Sequence, residues 1–312
     1  MRLSLFAFML WSNSILPAHS ISKAILSITR AKNVLPTAIL NIAGAKIANP
    51  GLCILTNGPV LASIVITQSI MASSMIINDI CDLPVDRINN PSRPLVKGDI
   101  SLKTAITAAS GLLAAAELIN HLYIPSHLRH ITHLSGMMAL LYTPVLKRIL
   151  FLKNISCATL VSCALLFSGS VANPDLIVGP NFIHLYIATR TIFLGSLCIE
   201  ILMDIRDRDG DRINGIKTLP VVFGKEMAWN VTYSIMVMNM VFGSIDLAML
   251  HGSALWGFAF MAIVYPALDR LRDVRTRGYI KKSIVDYGNK LMGPMVLALL
   301  YLFSMSKFVN II

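Results

Sequence analysis

PVLASIVITQSIMASSMIINDICDLPVDRIN, residues 59–89, runs an apolar block straight into a cluster of acids. Over 59–81 the only charged side chain is Asp79. A block of this length, at about 1.5 Å per helical residue, spans the roughly 30 Å hydrocarbon core of a bilayer. It lacks the apolar–polar alternation that a membrane β-strand needs. The stretch therefore reads as a transmembrane helix that ends in an acidic turn. Pro84 has no N–H to donate to the carbonyl of Ile80, so the helix is expected to end or kink near Asp82.

Blocks of the same kind recur along the chain near 24–46, 102–120, 130–146, 152–171, 180–203, 226–245, 250–268 and 286–306. With 59–81 they make nine expected transmembrane helices, an all-α integral membrane fold. The bulk figures agree. The 312 residues are 55% hydrophobic and 14% charged, with a mean hydropathy of +0.68. A soluble domain carries roughly a quarter charged residues. The N-terminal MRLSLFAFMLWSNSILPAHS has one arginine, a short apolar run and small residues near Ala18. Residues 1–21 thus read as a signal-like or targeting segment, and 22–312 as one membrane domain.

The net charge of +11 is better explained by topology than by nucleic acid. The loop after the second block holds Arg87, Arg93, Lys97 and Lys103. Those after the fourth, sixth and eighth hold Lys147, Arg148 and Lys153; then Arg206, Arg208, Arg212, Lys217 and Lys225; then Arg270, Arg272, Arg275, Arg277, Lys281 and Lys282. The opposite loops offer only Arg129. The basic face is expected in the cytosol, or in the matrix or stroma of an organelle. The expected localisation is a multi-pass protein of an organellar or endoplasmic reticulum membrane.

Half of the sixteen acids sit on that same face, in two windows: Asp79, Asp82, Asp86 and Asp99, then Asp204, Asp207, Asp209 and Asp211. DICDLPVDRIN from Asp79 and DIRDRDGDRIN from Asp204 share the pattern D-I-x-D-x-x-x-D-R-I-N. Asn78, Asp82 and Asp86 are four apart; Asp204, Asp207 and Asp211 are three and four apart. On a helix such residues share one face, where like charges repel unless a cation neutralises them. Hard cations such as Mg²⁺ take carboxylate oxygens and are commonly shared with substrate phosphates. Gly210 is expected to loosen the second window. An EF-hand is excluded, because counting from Asp207 its required glycine and glutamate positions hold Arg212 and Thr218. Acids, nearby Arg and Lys, and an adjoining apolar bundle together fit a diphosphate head on a long hydrocarbon tail: a prenyl diphosphate.

At these residues the chain resembles the UbiA superfamily of intramembrane prenyltransferases. NDICDLPVD (78–86) and DIRDRDGD (204–211) resemble its two Asp-rich motifs. SRPLVKGDIS, YTPVLKR from Tyr142 and GIKTLPVVFGKE resemble its flanking segments. Arg30 and Asn33 fit its R-P-x-N, with Ala31 in place of the proline. The resemblance implies nine helices around an apolar central cavity, with the active site near the basic face. It implies Mg²⁺ as cofactor, held by Asn78, Asp82 and Asp86 and by Asp204, Asp207 and Asp211, with Asp79 in support. Arg30, Arg93, Lys97 and Lys147 are the candidate diphosphate contacts. Asn33, Tyr142 and Glu200 are the candidate acceptor pocket. The implied activity is transfer of a prenyl chain from a polyprenyl diphosphate to a lipophilic or aromatic acceptor, with membrane lipids as surroundings. A membrane terpene cyclase of the same superfamily is the first alternative, and a non-catalytic, transporter-like protein the second.

Other polar residues carry less. Arg190 is an ionisable group inside an apolar block, functional or simply paired with another buried group. His121, His127, His130 and His133 fall on the face opposite the acids, and a zinc site there is the weaker reading. The five cysteines form no C-x-x-C pair and read as reduced thiols packed among helices.

Overall fold

The computed structural model describes residues 18–175 and 179–309. Residues 1–17, most of the segment read as signal-like, lie outside the described residues. The described residues form no strand. They fold into α1 (Ala18–Ile28), α2 (Val34–Ala48), α3 (Gly58–Cys81), α4 (Leu83–Asn89), α5 (Pro94–Lys97), α6 (Leu102–Tyr123), α7 (Arg129–Tyr142), α8 (Leu152–Ala172), α9 (Pro180–Ile213), α10 (Leu219–Leu250), α11 (Ala254–Thr276) and α12 (Lys281–Val309). Seven of these, α3, α6 and α8–α12, are long and apolar enough to cross a membrane. The shorter α2 and α7, of 15 and 14 residues, match two further apolar blocks of the sequence.

Several expected boundaries move, and those of the first, sixth and seventh blocks bear on the site. The first block is not one helix. Arg30 takes a left-handed backbone (φ 48°, ψ 56°) and separates α1 from α2. Pro36 is then the third residue of α2, where a missing N–H costs no intrahelical bond. The sixth block continues ten residues past 203 and carries the second acidic window as regular helix, straight through Gly210. One glycine costs a helix about 1 kcal/mol, too little to break an element that is packed along much of its length. The seventh begins at Leu219, with a break in the helical path at Gly224 (φ 85°, ψ 163°). The first window behaves as Pro84 dictates. α3 stops at Cys81, Asp82 adopts φ −85° and ψ 0°, and Pro84 is the second residue of α4.

α9 is the spine of the bundle. It packs against α2, α8, α10 and α12. Its buried face carries Leu185, Ile187, Ala188, Ile192, Cys198, Ile201, Leu202 and Ile205. In a bilayer lipid tails are as apolar as leucine, so helices associate through close packing of small residues. Gly44 of α2 lies so near α8 that a Cβ there would sit 2.0 Å from the Leu165 carbonyl oxygen. A Cβ on Gly169 would meet Leu185 Cδ1 at 2.5 Å. The helices alternate in direction. The ends of α3, α9 and α11 therefore share one end of the bundle with the starts of α8, α10 and α12. There Glu226 pairs with Arg275 and accepts from the Tyr279 hydroxyl. Burial, then that hydrogen bond, pushes the Tyr279 hydroxyl up to about 12.

Candidate active site

Both acidic windows lie at this shared end, and basic side chains from other elements meet most of their acids. Asp79, only 2% exposed, receives Arg93 Nη1 at 2.5 Å and Arg30 Nη2 at 3.5 Å. Arg93 also stands 3.9 Å, through Nε, from the buried Asp86, which accepts from Asn90 Nδ2 at 2.8 Å. Asp82 is held by Lys147 Nζ at 2.5 Å, from a 3₁₀ turn that follows α7. Thr143 Oγ1 donates to Asn78 Oδ1 at 3.4 Å. In the second window Asp204 is buried and doubly held, by Lys153 Nζ at 2.6 Å and Asn154 Nδ2 at 2.9 Å. Arg206 grips Asp207 with both prongs, at 2.8 and 2.6 Å. Lys153 also faces Asp211 and Glu200.

Behind this cluster a cavity of about 490 Å³ opens among α2, α3, α7, α8 and α9. Arg30, Asn33, Asn78, Tyr142 and Glu200 line its mouth, and Leu40, Ile66, Ile70, Ile131 and Phe167 its depth. Asn78 and Ile66 are twelve residues apart on α3, so the cavity reaches about 18 Å along the bundle. Its wall is mostly apolar, and Glu200 is its one carboxylate, with Cys157 beside both it and Tyr142.

The candidate residues are thus drawn together, with differences. Asn78, Arg30, Asn33, Tyr142 and Glu200 face the cavity. Asp79 faces Arg93 and Arg30 rather than the cavity. Lys147, which at a helix end reads equally well as an interface marker, reaches a motif carboxylate. Lys97 is exposed at the end of α5 and pairs with none of the acids. Lys153, Asn154 and Arg206 are the residues that sequence reasoning passed over. The signal was present in Lys153 and Asn154, two polar side chains opening an otherwise apolar block. Among the described residues no three His, Cys, Asp or Glu side chains converge on one point for a metal. The carboxylates instead rest against arginine and lysine. His133 pairs with Glu117 at 2.8 Å, and Arg190 with Asp246 at 2.7 Å between α9 and α10. All five cysteines are free.

Helices that cross a membrane, an apolar cavity, and acids interleaved with bases at its mouth define an enzyme that handles an anionic head on a hydrocarbon tail. The chain belongs to the UbiA prenyltransferase family, whose model matches residues 34–279, and it is a prenyltransferase. It is similar to the digeranylgeranylglyceryl phosphate synthase of Methanoculleus marisnigri, with 31% identity over 239 residues, 77% of this chain and 80% of that one. The enzyme of the same name from Methanocaldococcus jannaschii is 31% identical over 216 residues, 69% and 72% of the two chains. A solved structure of digeranylgeranylglyceryl phosphate synthase shares the fold at a TM-score of 0.68 and 24% identity, covering 92% of this chain and 98% of that one. A UbiA homologue from Archaeoglobus fulgidus, solved with GPP and Mg²⁺, does so at 0.67 and 18%, covering 91% and 99%.

Proposed function

We propose that this enzyme transfers a prenyl chain from a polyprenyl diphosphate to a lipophilic acceptor inside the membrane, with Mg²⁺ as cofactor. One observation carries the reading: paired acids and bases crowd the mouth of a mostly apolar cavity. The donor set suits a hard cation. Asn78, Asp82 and Asp86 on one side, and Asp204, Asp207 and Asp211 on the other, offer only oxygens on helix ends. The positive charge now neutralising them comes from arginine and lysine, so the site already tolerates dense cation–carboxylate contact. When bound, Mg²⁺ supplies stabilisation of the negative charge that grows on the departing diphosphate.

The remaining steps fall to the chain's own side chains. Lys147 exchanges Asp82, and Arg93 its longer contact with Asp86, for diphosphate oxygens, and Lys97 closes over from α5. Asp79 keeps its hold on Arg30 and Arg93 and so orients them, with their remaining N–H groups turned to the diphosphate. The bond from the donor's C1 to oxygen breaks, and its electron pair leaves with the diphosphate. The apolar walls keep water from quenching the allylic cation. Asn33, Tyr142 and Glu200 hold the acceptor at the mouth, where its nucleophile bonds to C1 and its proton passes to the departed diphosphate. The name shared by the similar enzymes points to an acceptor class, a glyceryl phosphate that already carries one geranylgeranyl group. The seven long helices and the shorter α2 and α7 all cross the bilayer in this proposal, with the mouth on the cytosolic, stromal or matrix face that the Lys and Arg pattern selects.

The test uses the full chain in nanodiscs with geranylgeranyl diphosphate, Mg²⁺ and either geranylgeranylglyceryl phosphate or an aromatic acid. Diphosphate release and a product heavier than the acceptor by one geranylgeranyl group in place of a hydrogen are expected with the glyceryl phosphate. Asp82→Ala and Asp207→Ala should each abolish release, and retained turnover in both would sink the reading. A cyclic hydrocarbon or alcohol formed without acceptor would favour the cyclase instead.

A further inference from the structure

Outside that cavity, α11 and α12 carry a proline each inside the helix, Pro266 and Pro294. Proline has no N–H, so the carbonyl four residues earlier loses its helical partner. For Pro294 that carbonyl belongs to Lys290, and Arg270 Nη1 of α11 donates to it at 2.8 Å. The two proline-bearing helices are thereby tied together at one level. Just beside the tie a cleft of about 500 Å³ opens between them. Its walls include Ile263, Pro266, Gly293, Pro294 and Leu297, and Arg270 and Lys290 stand at its mouth. A Cβ added to Gly293 meets nothing within 4 Å, so the cleft is open at that point. It shares no lining residue with the cavity described above.

The mouth lies where both helices change character. α12 is polar through Lys281, Lys282, Asp286, Asn289 and Lys290, then apolar from Leu291; α11 turns charged at Asp269. The basic pair thus marks the bilayer interface, and the apolar cleft runs about 10 Å inward, to Leu297 seven residues on. Between 269 and 290 the acids Asp269, Asp273 and Asp286 face seven cations: Arg270, Arg272, Arg275, Arg277, Lys281, Lys282 and Lys290. Arg272 is partly engaged with Tyr233, and Arg275 with Glu226. Lys290 is exposed, and beyond its bond to the Lys290 carbonyl Arg270 keeps N–H donors to spare.

We propose that this cleft binds an anionic membrane phospholipid, with its phosphate between Arg270 and Lys290 and part of one acyl chain against the two prolines. Charge complementarity selects that occupant, because a zwitterionic lipid brings a cation of its own to a net-positive mouth. Basic pockets between transmembrane helices take acidic head groups in this way.

The proposal is tested by native mass spectrometry of the purified full chain titrated with phosphatidylglycerol or with phosphatidylcholine of the same acyl chains. One phosphatidylglycerol is expected to bind about fivefold more tightly, the size of one lysine's attraction to an anionic lipid. Lys290→Gln should erase that preference, and Gly293→Leu, which fills the cleft, should lose the lipid altogether. Arg270 is left intact because it holds a backbone carbonyl. Melting temperature in lipid-free detergent, matched to the parent, verifies that both variants fold. Equal retention of the two lipids would overturn the proposal, as would undiminished phosphatidylglycerol binding by Gly293→Leu. Displacement of the lipid by glycerol phosphate alone would reveal a free-anion site and overturn it too.

Discussion

Lys153 and Asp204 meet at 2.6 Å, and both are largely buried. Breaking one side of such a pair strands the other charge. Lys153→Met is therefore expected to cost about 3 kcal/mol of stability and to lower the melting temperature of the purified protein. Adding Asp204→Asn removes the stranded charge and should restore stability, but not diphosphate release, because Asp204 is also a proposed metal ligand. Recovery of turnover in the double variant would remove Asp204 from the metal set. The sequence shows why this pair was harder to see than the motifs themselves. The acids repeat at helical spacing and announce themselves locally. Their polar partners arrive through the fold: Lys147 is 65 residues from Asp82, and Asn154 is 50 from Asp204. Spacing along one helix cannot register a contact made between two.

At the scale of the element, the helix ends obey local chemistry more closely than the helix contacts do. Pro84 forecasts the stop at Cys81, and the stop is there. Gly210 forecasts a loosening of α9 that does not occur, because a weak local preference yields to packing along the rest of the helix. What the sequence leaves unmarked is where backbones touch. Gly44 lies among other small residues of α2, and nothing nearby distinguishes it from Gly51 or Gly58, where an added Cβ is free of close contact. Yet a Cβ on Gly44 would meet the Leu165 carbonyl, and backbone cannot step aside as a flexible side chain can. Gly44→Ala should therefore destabilise the protein by about 1–3 kcal/mol through overpacking, while Gly58→Ala leaves it near the parent. Thermal unfolding in detergent compares the two. Equal melting temperatures would mean that α2 and α8 are not in backbone contact.

Across the whole molecule, the apolar blocks made the helical membrane architecture readable, because a bilayer forces every spanning segment to satisfy its own backbone. The depth of the cavity was not readable, since it depends on where helices converge. That convergence lies just below Phe167, where Ser63 and Ser168 bond at 2.9 Å and Gly169 lets α8 settle against Leu185. With C–C bonds of about 1.5 Å, an extended five-carbon unit covers roughly 5 Å, so about 18 Å admits three to four units. Length selection should then take an unusual form. A donor tail enters from lipid, which is as apolar as the cavity, so added units bring little of the gain that burial from water would give. Affinity expressed per mole fraction in the membrane should stay nearly flat from ten to twenty carbons and drop where the tail meets Phe167. Phe167→Ala should move that drop outward by about one unit, and Phe167→Trp inward, with ten-carbon donors unaffected by the alanine. Binding of ten- to twenty-five-carbon diphosphates to nanodiscs with Mg²⁺ measures this. A steady rise in affinity with every unit, or a drop that ignores residue 167, would show that the chain lies elsewhere than in this cavity.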